Sequence, residues 1–224
     1  MKEHQFVTLQ AEPEPLEIDL KRMAVLVIDM QNAFVSKGGM FDLWGFDISN
    51  NPKVIEPIKR ITSAARAKQI RVIYLAHVLS PDVREAGPMS TFWFNQVLKS
   101  YREKPEMRHA LLLRGTWGAQ IIDELKPRED EMLIEKRRFS AFVGTDLDMM
   151  LKTYDIRYLV FTGVATNICV ESSLRDACHL EYLPILVSDA AAASPPSRQE
   201  ATIGNVKQVF GWVTTSLNLI KALR

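Results

Sequence analysis

The stretch Arg157–Ala177, RYLVFTGVATNICVESSLRDA, decides how this chain folds. RYLVFTG reads as a strand that is apolar through its centre and stops at Gly163. A helix follows from about Thr166 to Glu181, with Thr166 or Asn167 as its cap. Cys169 therefore sits just inside a helix start, in the turn that leaves a strand. A buried cysteine is often plain packing, whereas a thiol at such a turn stands where a nucleophile would.

Working outward, the same grammar repeats. MAVLVIDM is an apolar strand ending at Asp29, and helical spacing of Val54, Ile58, Ile61 and Ala65 follows from Pro52. RVIYLAH and EMLIEK are further strands, and TDLDMMLKTYDI is a helix capped by Thr145 or Asp146. After the central stretch come the strand LPILVSD, the helix RQEATIGNVKQVF, a short strand near Trp212–Thr214 and a terminal helix. Strands without a polar face, alternating with amphipathic helices, predict an α/β fold with a parallel sheet covered on both sides. Residues 23–224 read as a single domain and 1–22, rich in Pro and Glu, as an extended lead-in. The segment from Leu79 to Trp117 fits least well. Its turn residues and aromatic patch read as a long excursion serving function or an interface.

In an open parallel sheet, ligands bind beyond the carboxyl ends of the strands. Three reactive side chains fall there: Asp29, Lys136 and Cys169. Each alone has an ordinary reading, as a loop cap, a solvated charge and core packing. Together they form a nucleophilic set, with the acid taking the thiol proton and the ammonium and helix N-terminus favouring the thiolate. Asp189 reads as a structural cap, and His4, His109 and His179 take no role.

Composition narrows the alternatives. The chain has 224 residues, 47% hydrophobic and 25% charged, with a formal net charge of +1. No basic block calls for nucleic acid, and no apolar run has bilayer or signal-peptide length. A cytoplasmic location is expected. Cys169 and Cys178 on one helix would stand ~13 Å apart, beyond disulfide reach, so both are expected as free thiols. No G-x-G-x-x-G follows a strand, which removes a dinucleotide cofactor.

VLVIDMQNAF, EKRRFSAFVGTDLD, VFTGVATNICVESSLRDA and LVSDA, in this order, resemble the isochorismatase-like cysteine hydrolases from Met23 onward. The resemblance implies a three-layer α/β/α fold with a six-stranded parallel sheet and a catalytic triad of Asp29, Lys136 and Cys169. It also implies a cis peptide at Val164–Ala165 and an oxyanion hole from the backbone N–H groups of Ala165 and Cys169. Within the family, GGMFDLWGFDIS, REAGP, LEY and FGWV resemble the ureidoacrylate amidohydrolase subgroup. His77 and Leu79 stand where that subgroup implies an amide side chain and a tryptophan, and Phe139 where it implies a tyrosine.

The expected activity is hydrolysis of a C–N bond in a small ureide, or in a less polar amide, through a thioester acyl-enzyme. No cofactor is expected, and no metal, because only His77 lies near the second strand where metal-bearing relatives hold paired histidines. Phe34, His77, Glu85, Trp117 and Phe139 are the candidate substrate contacts, with Trp93 a further aromatic wall. A binding module that kept the fold is the non-enzymatic alternative. A homo-oligomer, dimer or tetramer, is expected from the family and the aromatic patch.

Overall fold

The computed structural model describes residues 4–86 and 92–224. Residues 87–91 of the aromatic excursion, including the end of REAGP, lie outside the described residues. The sheet strands are β3 (Met23–Ile28), β4 (Arg71–His77), β5 (Met132–Lys136), β6 (Tyr158–Val164), β7 (Leu183–Ala192) and β8 (Trp212–Thr214). They form a six-stranded sheet in the order β5-β4-β3-β6-β7-β8, and every pairing is parallel. The chain thus winds outward from β3 to one edge, then returns to the centre at β6 and winds to the other. The direction reverses between β3 and β6, and there the loops diverge and leave a crevice.

Alternation along β3 shows why the sheet is covered twice. Met23, Val25 and Val27 join one apolar cluster, with Ile58, Ile61 and Ala65 of α3 (Ile55–Ala67) and Leu219 of α8 (Ser216–Ala222). Ala24, Leu26 and Ile28 join the other, with Leu147 and Leu151 of α5 (Leu147–Thr153) and Leu174 and Ala177 of α6 (Glu171–His179). Every residue of β3 is buried, as a central strand with two helical layers requires. Asp189 accepts from the Ser216 N–H at 2.7 Å and its hydroxyl at 2.6 Å, tying β7 to the start of α8. That is the structural role read from the sequence.

Three local expectations change. The lead-in is a two-stranded antiparallel ribbon, β1 (Phe6–Leu9) with β2 (Leu16–Asp19). It buries Leu9 and Ile18 in the core and pairs Glu12 with Val213. Its alternation is only four residues per strand, too short to stand out beside the prolines. The excursion contains a real helix, α4 (Phe92–Glu103), which packs Phe94 and Val97 inward. Finally, the helix expected from Thr166 begins as a π-turn over Thr166–Val170 and becomes α-helical at Glu171, ending at His179. Neither Thr166 nor Asn167 caps it. The Ala165 carbonyl instead accepts the N–H groups of Ile168 and Val170 at 3.0 and 3.3 Å.

Candidate active site

Four strand ends converge on one point. Asp29 follows β3, His77 ends β4, Lys136 ends β5 and Cys169 lies in the turn after β6. The close approach of β6 to β3 depends on Gly163, at φ +110°, where a Cβ would sit 2.0 Å from the Ile28 carbonyl oxygen. No side chain fits there. The Val164–Ala165 peptide is cis, where the family resemblance placed it.

Asp29 and Lys136 are both fully buried, and the Lys136 Nζ donates to Asp29 Oδ2 at 2.8 Å. The ammonium also donates to the Arg138 carbonyl at 3.2 Å. Asp29 Oδ1 has no hydrogen-bond partner among the described residues. The Asp29 carboxylate, a His77 ring nitrogen and the Cys169 sulfur all lie within 4.8 Å of one another. Ser173 Oγ donates to the Cys169 carbonyl at 2.7 Å and accepts the Ala141 N–H at 2.9 Å, fixing the turn against the loop after β5.

Burial sets the protonation states. It pushes the Asp29 carboxyl up, with Lys136 offsetting part of the effect. Burial works against the Lys136 ammonium, yet Asp29 and Cys169 beside it hold its pKa above the ordinary value. Burial also pushes the Cys169 thiol up, Asp29 pushes it further, and Lys136 recovers only part. Desolvation and Asp29 thus oppose the thiolate while Lys136 favours it, as read from the sequence, and the balance holds the thiol pKa above its ordinary value beside the ion pair. A carboxylate within reach of a thiol can take its proton as the sulfur attacks.

His77 is fully buried, and neither ring nitrogen has a hydrogen-bond partner among the described residues. Burial and the charges of Lys136, Arg138 and Arg137 hold its pKa well below 6.5, so the ring is neutral. Its backbone is clamped by Gln31, a fully buried residue that sequence reading missed. Gln31 Oε1 accepts the His77 N–H at 2.8 Å, and Gln31 Nε2 donates to the carbonyls of His77 and Ala119 at 3.0 and 2.8 Å. Its only sequence signal was an amide two residues past the strand-end acid.

The other candidates divide. Phe139 lies edge-on to Trp93 at 5.6 Å and to His77 at 6.4 Å between centroids, joining the site. Phe34 is buried, edge-on to Phe41 at 4.8 Å. Glu85 accepts the Ser80 N–H and hydroxyl, closing the turn after β4. Trp117 is 39% exposed and stacks on His109, away from the cavity walls described next.

A cavity of about 370 Å³ opens over the turn, lined by Phe41, Phe46, Trp93, Ala165, Asn167 and Ile168, with Asp47 and Arg198 also on its wall. Phe41 and Phe46 lie within GGMFDLWGFDIS and Arg198 far from it in sequence, and only the fold brings them to one wall. Another cavity of about 390 Å³ is lined by Ala76, Arg114 and Glu135 among others; none of the three reactive side chains lines either cavity, and of the two only the first reaches the turn that carries Cys169.

Residues 23–217 match the isochorismatase domain. The chain belongs to the isochorismatase family. Family relatives include the ureidoacrylate amidohydrolase RutB of Methylorubrum extorquens, 47% identical over 94% of this chain and 86% of that protein. RutB of Agrobacterium fabrum is 46% identical over 93% of each. Among solved structures of the family's fold, a cysteine hydrolase from Pseudomonas syringae pv. phaseolicola superposes with a TM-score of 0.80 at 28% identity. That likeness covers 100% of this chain and 98% of the other. The three-layer fold read from the sequence is the fold of this family.

Proposed function

We propose that this protein is a cysteine-dependent amidohydrolase that cleaves a non-peptide C–N bond in a small ureide. The observation that carries the reading is the convergence of a buried Asp29–Lys136 ion pair with the Cys169 thiol at the switch point of the sheet. The amidohydrolase relatives at 46–47% identity support it.

Asp29 takes the thiol proton as Cys169 Sγ attacks the substrate carbonyl carbon. Lys136 keeps Asp29 ionised until that moment and balances the negative charge passing between sulfur and carboxylate. The backbone N–H groups of Ala165 and Cys169 receive the developing oxyanion. As the C–N bond breaks, Asp29 returns its proton to the leaving nitrogen. A thioester remains, which water hydrolyses to regenerate the thiol. No step needs a cofactor.

N-carbamoyl compounds of ureidoacrylate type are the proposed substrates. A second reading, a less polar primary amide, is favoured by the aromatic wall of Phe41, Phe46 and Trp93. Steady-state kinetics on small ureides and on apolar primary amides separate the two. Efficient turnover of the amides with every ureide inert removes the ureide assignment.

We further place the enzyme in the cytoplasm as a homo-oligomer, dimer or tetramer. Cys169 and Cys178 are both free thiols, as a reducing compartment favours. Among the described residues no helix is long and apolar enough to cross a membrane. Exposed Phe92, at 79%, and Phe46, at 50% on the cavity wall, support subunit contact. Sedimentation at increasing concentration tests the assembly, and a monomer throughout refutes it.

A further inference from the structure

We propose that Asp29, His77 and Cys169 form a reversible binding site for a thiophilic divalent cation, zinc(II) foremost, whose occupation arrests the enzyme by sequestering the cysteine sulfur. The site shares its side chains with the proposed catalytic reading but does not require it, because metal binding needs no substrate.

The donor set is the first argument. A thiolate sulfur, an imidazole nitrogen and a carboxylate oxygen are the three side-chain donors that zinc takes. Bonds of roughly 2.0–2.3 Å about a tetrahedral ion leave donors about 3.5 Å apart. The three donor atoms already lie within 4.8 Å of one another, so side-chain movements on the order of an ångström close them on an ion.

Vacant coordination capacity is the second. His77 is buried, with both ring nitrogens unbonded among the described residues. A buried polar group normally has a partner, and a neutral imidazole with an open nitrogen is a competent ligand. Asp29 offers Oδ1, which is likewise unpartnered, while Oδ2 keeps its bond to Lys136. The ion pair therefore survives metal binding.

Binding breaks the Cys169 S–H bond, forms a sulfur–zinc bond and releases one proton to solvent, with no change of oxidation state. The fourth position on the ion stays open to water. Lys136 stands beside these donors, and its ammonium opposes a second cation. That repulsion makes the site an inhibitory one rather than a seat for a resident ion. His77 is the deciding residue, since Asp29 and Cys169 alone supply only two ligands.

The test uses the purified full-length protein with zinc(II) and cobalt(II) alone as probes. Cobalt should give a thiolate-to-metal charge-transfer band saturating at one ion per chain. Zinc should displace it and protect Cys169 from iodoacetamide, and a chelator should reverse both effects. His77→Asn and His77→Gln, two variants so that one misfolded protein does not decide the matter, should weaken zinc by more than the roughly 10–100-fold that loss of an outer-shell partner costs. Absence of the band in the unaltered protein, its persistence in Cys169→Ser, or unchanged zinc affinity in either folded His77 variant overturns the proposal. Zinc binding as described in a protein inert to every ureide and amide would overturn only the catalytic reading.

Discussion

The two ends of β5 carry two ion pairs of opposite character. At its start, Glu131 accepts both Arg66 Nε at 2.7 Å and Arg66 Nη2 at 2.8 Å, and the Arg128 N–H adds a third bond at 2.8 Å. The same Arg66 also donates to the Tyr74 hydroxyl at 3.1 Å. Burial works to raise the Glu131 pKa, yet these bonds bring it below the ordinary value. At the other end, Lys136 and Asp29 share one bond at 2.8 Å, and burial leaves the Asp29 pKa raised. A saturated carboxylate is locked as an anion and holds structure. An undersaturated one, fully dehydrated and with an oxygen to spare, is ready to accept a proton or a ligand. The first pair is part-buried and saturated, the second fully buried and undersaturated, and the two differences together distinguish the ends.

The comparison breaks most sharply at the sulfur. Cys169→Ala should reduce turnover by about 10⁴-fold or more with unchanged circular dichroism, while Cys178→Ala stays active in the same assay. Comparable rates for the Cys169→Ala protein would remove the nucleophile from the site.

Next come the two partners, which should move the thiol in opposite directions. Asp29 raises the Cys169 pKa and Lys136 lowers it. Both Asp29→Asn and Lys136→Ala should lose turnover. The pH midpoint of iodoacetamide alkylation should nevertheless fall in Asp29→Asn and rise in Lys136→Ala. Movement of both midpoints in one direction would contradict the electrostatic account.

The saturated end should respond in stability and not in chemistry. Glu131→Gln should cost about 1–3 kcal/mol in urea unfolding while kcat is retained. Because the folded Glu131 pKa is depressed, its contribution is present above the unfolded value and lost as pH falls through the folded one. The gap between wild type and variant should therefore narrow on acidification. A large loss of kcat with normal stability would erase the distinction between the two ends. The smallest effect belongs to chelation. A strong chelator should leave turnover of metal-free enzyme unchanged, and activity recovered only on adding a metal would call for a different mechanism.

Much of this molecule was legible without coordinates. Strand and helix periods are local, so MAVLVIDM, RVIYLAH, EMLIEK and RYLVFTG announced their strands, and the strand ends announced Asp29, Lys136 and Cys169. The resemblance carried by VFTGVATNICVESSLRDA set the family. Less legible were elements whose local signal is short or conflicting: the ribbon Phe6–Asp19, hidden among prolines, and the π-turn at Thr166. A helix pattern in sequence does not reveal how its first turn is bonded.

What the residues of this chain determined by themselves was therefore the alternation of elements and the chemical types at their ends. Only the tertiary structure decided their charge states and company. Lys136 looked like one of three solvated cations in EKRR, and the fold buries it completely against a residue 107 positions away. Glu85 and Trp117 looked equal to Phe139, and packing brought only Phe139 to His77. His77 was a candidate contact at a strand end, but its charge state was not legible there. Its lowered pKa is a product of desolvation, with Trp93, Phe94 and Phe139 packed about the ring, and of the nearby cations. Desolvation is a sum over neighbours that sequence distance does not report, and for that reason it appears only when the chain is closed.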